Sequence, residues 1–160
     1  MIDRLLVPLT LISALGCGLM AGVFFAFSTF VMHALERLPP AQGIAAMQSI
    51  NVAAITPLFM LALFGTAAAC VVLAISSLSR WNEPGAAYML VGSVLYLVGA
   101  VLVTIVFNVP RNDALAAVAP ESAEGARLWI GYLAGWTAWN HVRTVAALAA
   151  SASLLMALRR

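Results

Sequence analysis

Apolar residues fill four long stretches of the chain, and polar residues gather between them and at their ends. The stretches run over residues 5–34, 52–78, 86–109 and 129–158. Each exceeds the roughly 20 residues that an α-helix needs to cross a hydrocarbon core about 30 Å thick. None has the continuous polar face of a helix on a soluble protein. The pattern predicts an all-α integral membrane protein, a bundle of four transmembrane helices forming a single domain over residues 1–160.

Composition agrees with a membrane location. Apolar residues make up 64% of the 160 residues and charged residues 9%, whereas soluble domains average roughly 45–50% and 25%. The first apolar stretch is far longer than the roughly 7–15 apolar residues of a signal peptide, so we expect it to remain as the first span. A net charge of only +2 argues against nucleic acid as a partner.

The arginines divide unequally between the two sides of such a bundle. Four lie on the side that holds both termini: Arg4, Arg80, Arg159 and Arg160. Three lie on the other side: Arg37, Arg111 and Arg127. Because positive residues are enriched on the cytoplasmic side, we expect a multi-pass protein of a bacterial-type inner membrane with both termini in the cytoplasm. Glycines four residues apart in two spans allow close helix packing and would also suit a homo-oligomer.

The fourth stretch carries an unusual polar cluster. At about 100° per residue, Trp136, Asn140, Arg143 and Thr144 fall within roughly 100° of arc on one helix face. An ionisable residue inside a span costs roughly 2.5–3.5 kcal/mol and normally faces the bundle interior, with partners. We therefore expect Arg143 to contact a carboxamide or carboxylate of the third span or of the loop that follows it. The candidates are Asn108, Asn112 and Asp113.

The other spans bring polar residues to the same end of the bundle. His33 ends the first span, with Glu36 one turn beyond it, Asn51 opens the second, and Asn108 and Asn112 end the third. Each has a structural interpretation as a helix cap, a surface pair or an interfacial residue. Their convergence predicts a ligand pocket that opens toward the outer leaflet and its lipid.

Four segments of the chain resemble those of a known family. They are residues 25–32, 47–51, 107–112 and 136–144, which include the patterns Asn-x-Pro-x-Asn and Trp-Asn-x-x-Arg. Together they resemble the anthrone oxygenase-like membrane family. The resemblance implies a four-helix membrane protein that oxidises an anthrone to an anthraquinone with dioxygen and without a bound organic cofactor. Carried over by motif, the positions it implies are Asn51, Asn108, Asn112, Trp136, Asn140 and Arg143.

The chemistry of such a reaction assigns expected roles. An anthrone has an acidic methylene, and His33 or His141 could take its proton because imidazole titrates near neutrality. Arg143, with Asn140 or Asn108, could hold the developing oxyanion. We expect aromatic and carboxamide side chains to bind a flat hydrophobic aromatic or quinol-type substrate. They are Phe25, Asn51, Asn108, Asn112, Trp136 and Trp139.

Two alternatives remain open from the residues alone. His33, Glu36, Asp113 and His141 could hold iron, zinc or copper in a metal-dependent oxidoreductase, because imidazoles and carboxylates suit those metals. No closely spaced ligand motif is present. Otherwise the protein is a non-catalytic accessory subunit that binds a lipid or quinone through Arg143.

Overall fold

The computed structural model describes the backbone of residues 2–159 and the side chains of residues 5–159. Its elements are all helical, which confirms the all-α prediction. The helices are α1 (2–36), α2 (Pro40–Ala53), α3 (Pro57–Ser79), α4 (Ala86–Ala116) and α5 (Ala123–Ala157). The side chain of Arg4 and the whole of Arg160, both used in the orientation prediction, lie outside the described residues.

Three of these helices are long and apolar enough to cross a membrane. They are α1 from Leu5 to Glu36, α3 and α4. Helix α5, the predicted fourth span, has 35 residues and includes the polar cluster. It packs against α1 and α4 through the bundle core, and it exposes Ile130, Val145 and Leu148 on its outer surface. We therefore expect α5 to cross the bilayer beside them, and the fourth span stays a prediction.

The second span begins later than its apolar pattern indicates. Helix α3 starts at Pro57, not at Val52, and residues 52 and 53 belong to the preceding α2. Thr56 is extended, with φ −106° and ψ 150°, because the proline ring that follows disfavours the helical conformation at this position. The Thr56 hydroxyl accepts a hydrogen bond from the Phe59 amide at 3.3 Å and caps the new helix.

The helix of the third predicted span, α4, ends later than expected. The third apolar stretch was predicted to end at residue 109, but α4 continues to Ala116. Proline normally breaks a helix because it lacks an amide donor and clashes with the carbonyl four residues earlier. Here a π-helical segment, Thr104–Asn108, ends two residues before it, and the wider turn accommodates the ring.

The central core joins α1, α3, α4 and α5. Its fully buried members include Met20, Cys70, Tyr96 and Leu154. The Tyr96 hydroxyl donates to the Leu63 carbonyl at 3.1 Å, so this buried polar group is satisfied across two helices. Gly99 faces Ala146 so closely that an added methyl group would collide with the Ala146 side chain. Small residues thus bring α4 and α5 into contact within the bundle.

A second core cluster closes the polar end of the bundle. It combines the end of α1, the helix α2, the end of α4 and the start of α5. Its buried side chains are Met32, Leu35, Ile44, Met47, Leu115, Trp129, Tyr132 and Trp136. Gln48 of α2 donates to the carbonyls of Leu115 at 2.8 Å and Val118 at 3.1 Å. These bonds add donors to carbonyls at and just beyond the end of α4, where regular helical partners run out.

The path of α5 can be tested by cysteine labelling. Single cysteines at Asn82, Ala117 and Leu158 should react with a membrane-impermeant maleimide from the cytoplasmic, outer and cytoplasmic sides, respectively. The native Cys17 and Cys70 are 0% exposed, so their background reaction should be low. Labelling of Leu158→Cys from the same side as Ala117→Cys would show that α5 does not cross.

Candidate functional site

The Arg143 side chain lies inside the bundle and is only 5% exposed. Its Nη2 donates to Asn140 Oδ1 at 2.6 Å, and its Nη1 donates to Thr104 Oγ1 at 3.1 Å. The contact with the third span was expected, but the expected partners were wrong. Thr104 lies one helical turn before Asn108, deeper in the bundle, and supplies a hydroxyl in place of a carboxamide or carboxylate.

Two aromatic rings flank the guanidinium. Its central carbon lies 4.5 Å from the centroid of the Phe24 ring and 5.0 Å from that of the Trp136 ring. A cation over an aromatic face is attracted by the electrons of the ring, and the attraction grows when water is excluded. We call Phe24, Thr104, Trp136, Asn140 and Arg143 the arginine site.

No carboxylate of the described residues neutralises this buried charge. Within the described residues, the ion pair found within 4.0 Å joins the exposed His33 and Glu36, not Arg143. Removing a cation from water costs several kcal/mol, which a partner of opposite charge normally offsets. In the described part of the chain, the guanidinium bonds to two neutral oxygens and faces two aromatic rings. The site therefore presents a positive charge, at low dielectric, to any anion that reaches it.

Asn140 positions the arginine and joins two helices. The Asn140 side chain is 0% exposed. Its Nδ2 donates to the Phe24 carbonyl and to Ser28 Oγ, both at 2.7 Å, while its Oδ1 accepts from Arg143. Ser28 Oγ also lies 3.1 Å from Thr144 Oγ1. Every hydrogen-bonding atom of the Asn140 side chain therefore has a partner, which fixes α1 against α5 at this depth.

Two buried polar atoms around the arginine have no hydrogen-bond partner among the described residues. They are Arg143 Nε and Asn108 Oδ1. Asn108 is 1% exposed, and its Nδ2 donates to the Trp136 carbonyl at 3.2 Å. An unsatisfied buried polar group costs about 1–3 kcal/mol. The two atoms are therefore a donor and an acceptor still available to a polar ligand that opens this packing.

Two π-helical segments, one in α1 and one in α4, carry polar residues that lie near Arg143 or its partners. Ser28 lies in Phe27–Val31 of α1, and Thr104 and Asn108 are the first and last residues of Thr104–Asn108 in α4. A π turn shifts the following side chains around the helix and frequently occurs at functional sites. In α4, the π-helical segment places Thr104 beside Arg143 and Asn108 beside Trp136.

A second group of polar contacts lies between the arginine site and the end of the bundle. Asn112 Oδ1 accepts from the Tyr132 hydroxyl at 2.9 Å and from Trp136 Nε1 at 2.8 Å. Asn51 of α2 also neighbours the Tyr132 hydroxyl. Tyr132 was not among the predicted site residues, although it lies four residues before Trp136 and continues the polar stripe of α5 by one turn.

Several sequence-predicted residues lie away from this interior. Phe25 is 57% exposed, whereas its neighbour Phe24 faces Arg143, since one residue turns a helix by about 100°. His33 has a side chain 65% exposed and lies 3.5 Å from Glu36. His141 is exposed on α5. Trp139 stacks on Phe107 with ring centroids 3.5 Å apart.

The four proposed metal ligands do not converge. Asp113, like His33, Glu36 and His141, is exposed. In the described part of the chain, no three His, Cys, Asp or Glu side chains come close enough to hold one metal ion. The geometry therefore offers no support for the ligand set His33, Glu36, Asp113 and His141.

A cleft of about 370 Å³ opens at the polar end, between α4 and α5. Its lining residues are Arg111, Ala114, Arg127, Leu128, Gly131 and Tyr132. It lies at the end of the bundle where a pocket was expected, but Arg143 is not among its lining residues. Tyr132 is the side chain shared by the cleft and the polar contacts of Asn112.

The fold and the site define a class: an apolar helical bundle that buries an arginine without a counter-ion among the described residues. Residues 58–153 match the family model described as anthrone oxygenase. Since the match covers more than half of the chain, this protein belongs to the anthrone oxygenase family, as the sequence motifs indicated. The match includes Thr104, Trp136, Asn140 and Arg143 but not Phe24. Comparison with curated proteins and with solved structures gave no match.

Loss of the Asn140 carboxamide should destabilise the bundle. Asn140→Ala removes partners from the Phe24 carbonyl, Ser28 and Arg143, so we expect the free energy of unfolding in detergent to fall by about 1–3 kcal/mol. His141→Ala, the adjacent exposed position, should change it by no more than about 0.5 kcal/mol. Equal stability of the two variants would show that the Asn140 contacts do not hold α1 to α5.

Proposed function

We propose that this protein oxygenates a flat aromatic compound with an acidic methylene, an anthrone-type substrate, in the apolar interior of the bundle. The observation that carries the proposal is the burial of Arg143, 5% exposed, without a carboxylate partner in the described residues. Such a charge stabilises an anion that forms beside it. Membership of the anthrone oxygenase family supports this choice of substrate class.

The reaction needs one oxidant, dioxygen, and consumes one molecule of it. The methylene loses a proton, and the resulting enolate reacts at carbon with dioxygen, which forms a carbon–oxygen bond and leaves a hydroperoxide after protonation. Loss of water from the hydroperoxide gives the quinone carbonyl. An anthrone and one dioxygen thus yield one anthraquinone and one water, so the protein has only to favour the enolate and admit oxygen.

Arg143 is the group proposed to stabilise the enolate oxygen. A preorganised cation in a water-excluded site lowers the energy of a developing oxyanion without reorganising at the moment of reaction. Asn140 acts as a positioning residue because it fixes the guanidinium through Nη2 at 2.6 Å. Arg143 Nε and Asn108 Oδ1, which lack partners among the described residues, are the polar atoms available to the substrate.

Access to this site requires movement of a side chain. Arg143 is nearly enclosed, with aromatic rings 4.5 and 5.0 Å from its central carbon. A planar substrate would take the place of one ring, Phe24 or Trp136, and would inherit its contact with the guanidinium. An aromatic substrate is suited to such an exchange because it offers the cation a similar π face.

Arg143→Gln should lower anthrone oxidation by a factor on the order of 10²–10³, as removal of an oxyanion donor does. The assay follows anthraquinone absorbance and dioxygen uptake in proteoliposomes. The moles of anthraquinone formed should equal the moles of dioxygen consumed. Arg37→Gln, which removes the same charge from an exposed loop residue, is the matched control and should retain the wild-type rate.

Three outcomes of this assay would contradict the proposal. Wild-type protein that oxidises anthrone no faster than empty liposomes would favour the accessory-protein alternative. A folded Arg143→Gln variant with full activity would remove the role of the guanidinium. Loss of activity on chelation, with recovery on adding back one specific metal, would establish the metal-dependent alternative.

The two histidines should be dispensable for the proton transfer. His33 and His141 are exposed and make no hydrogen bond to the arginine site among the described residues. Accordingly, His33→Ala and His141→Ala should each retain activity within about threefold. Loss of a general base would instead lower the rate by a factor on the order of 10²–10⁴. The proton would then pass to water. A hundredfold loss in one variant would identify that imidazole as the base.

A further inference from the structure

Two guanidinium groups and an apolar wall line the cleft between α4 and α5. Arg111 comes from α4, and Arg127 comes from α5. Leu128, Gly131 and Tyr132 form the wall. This cleft is separate from the arginine site and plays no part in the proposed oxygenation.

Neither guanidinium of the cleft is neutralised by a carboxylate in the described residues. The ion pair found there joins His33 and Glu36. Glu124 lies one turn before Arg127 on α5, yet the two form no ion pair within 4.0 Å. Two adjacent like charges repel each other, so a cleft that places both at its edge favours an anion between them.

Arg111 is held in position at the edge of the cleft. Its Nη1 donates to the Phe107 carbonyl at a distance of 2.6 Å. Gly135 of α5 lets the side chain cross that helix, because an added methyl group at Gly135 would lie 2.9 Å from Arg111 Nε. A preorganised guanidinium loses less conformational freedom on binding an oxyanion, and its planar fork matches the oxygens of a phosphate.

The cleft lies at the depth of lipid headgroups if α4 crosses the bilayer. About 20 residues at 1.5 Å per residue span the hydrocarbon core. Counted from Ala86, the first residue of α4, Arg111 lies about five residues beyond the core, or roughly 8 Å. Phosphate groups are concentrated at that depth. The apolar wall of the cleft adjoins the acyl region.

We propose that the Arg111–Arg127 cleft binds a phosphate oxyanion at the outer end of the bundle. The phosphate can come from the headgroup of an anionic phospholipid or from free inorganic phosphate. Both guanidiniums contact it, and Leu128 and Gly131 accommodate the carbon atoms attached to it when it belongs to a lipid.

Binding can be measured on the full-length protein in a nonionic detergent. The probes are dihexanoyl phosphatidylglycerol, dihexanoyl phosphatidylcholine and inorganic phosphate, each titrated while the midpoint of thermal unfolding is followed. Phosphatidylglycerol should raise the midpoint, and Arg111→Gln or Arg127→Gln should weaken its apparent affinity on the order of tenfold, as expected for loss of a charge-assisted hydrogen bond. Arg37→Gln, which removes the same charge outside the cleft, should not weaken it.

Gly131→Leu tests the cleft without changing its charge. No atom lies within 4 Å of a methyl group added at Gly131, so a leucine fits the fold but fills the space between the helices. This variant should lose phosphatidylglycerol binding as the arginine variants do. The proposal also stays testable if Arg111→Gln fails to fold, because Gly131→Leu keeps the hydrogen bond from Arg111 to the Phe107 carbonyl.

The three probes decide between the sources of phosphate. If phosphatidylglycerol raises the midpoint and inorganic phosphate neither raises it nor competes, the ligand is a lipid headgroup. If inorganic phosphate alone gives the shift and competes, the cleft takes the free anion. Equal effects of phosphatidylcholine and phosphatidylglycerol, or wild-type affinity in the arginine and Gly131→Leu variants, would overturn the proposal.

Discussion

A guanidinium inside an apolar bundle has to be satisfied by the protein that surrounds it, and Arg143 imposes that requirement here. Helix α5 supplies Asn140, α4 supplies the Thr104 hydroxyl, and α1 supplies the Phe24 ring. An apolar side chain of similar volume would avoid the desolvation cost that a buried charge carries. Three helices therefore enclose one positive charge at a lower stability than such an apolar side chain would give. This arrangement is expected of a site that stabilises an anion.

The remaining positive charge at the polar end is organised differently. Arg111 and Arg127 stand at the edge of an open cleft, whereas Arg143 is enclosed by rings and neutral oxygens. Between them, Tyr132 and Trp136 both donate to Asn112. These contacts tie the end of α4 to the first half of α5 between the cleft and the arginine site.

Part of the candidate site was predictable because a helix fixes the relative directions of its own side chains. The stripe of Trp136, Asn140 and Arg143 follows from about 100° per residue, and burial of all three confirms it. The partner on α4 was not predictable in the same way. A π-helical segment and the axial position of α4 bring Thr104, and not Asn112, to Arg143.

The sequence alone determined that the chain is helical and apolar enough for a membrane, because long apolar runs leave few other structures that satisfy their backbone. It also determined which face of α5 is polar and to which family the chain belongs. Only the tertiary structure decided that Phe24 and not Phe25 meets the guanidinium, and that both histidines remain outside. The physical reason is that the rotation and axial shift of one helix against another depend on the packing of all of them, which no periodicity within one helix encodes.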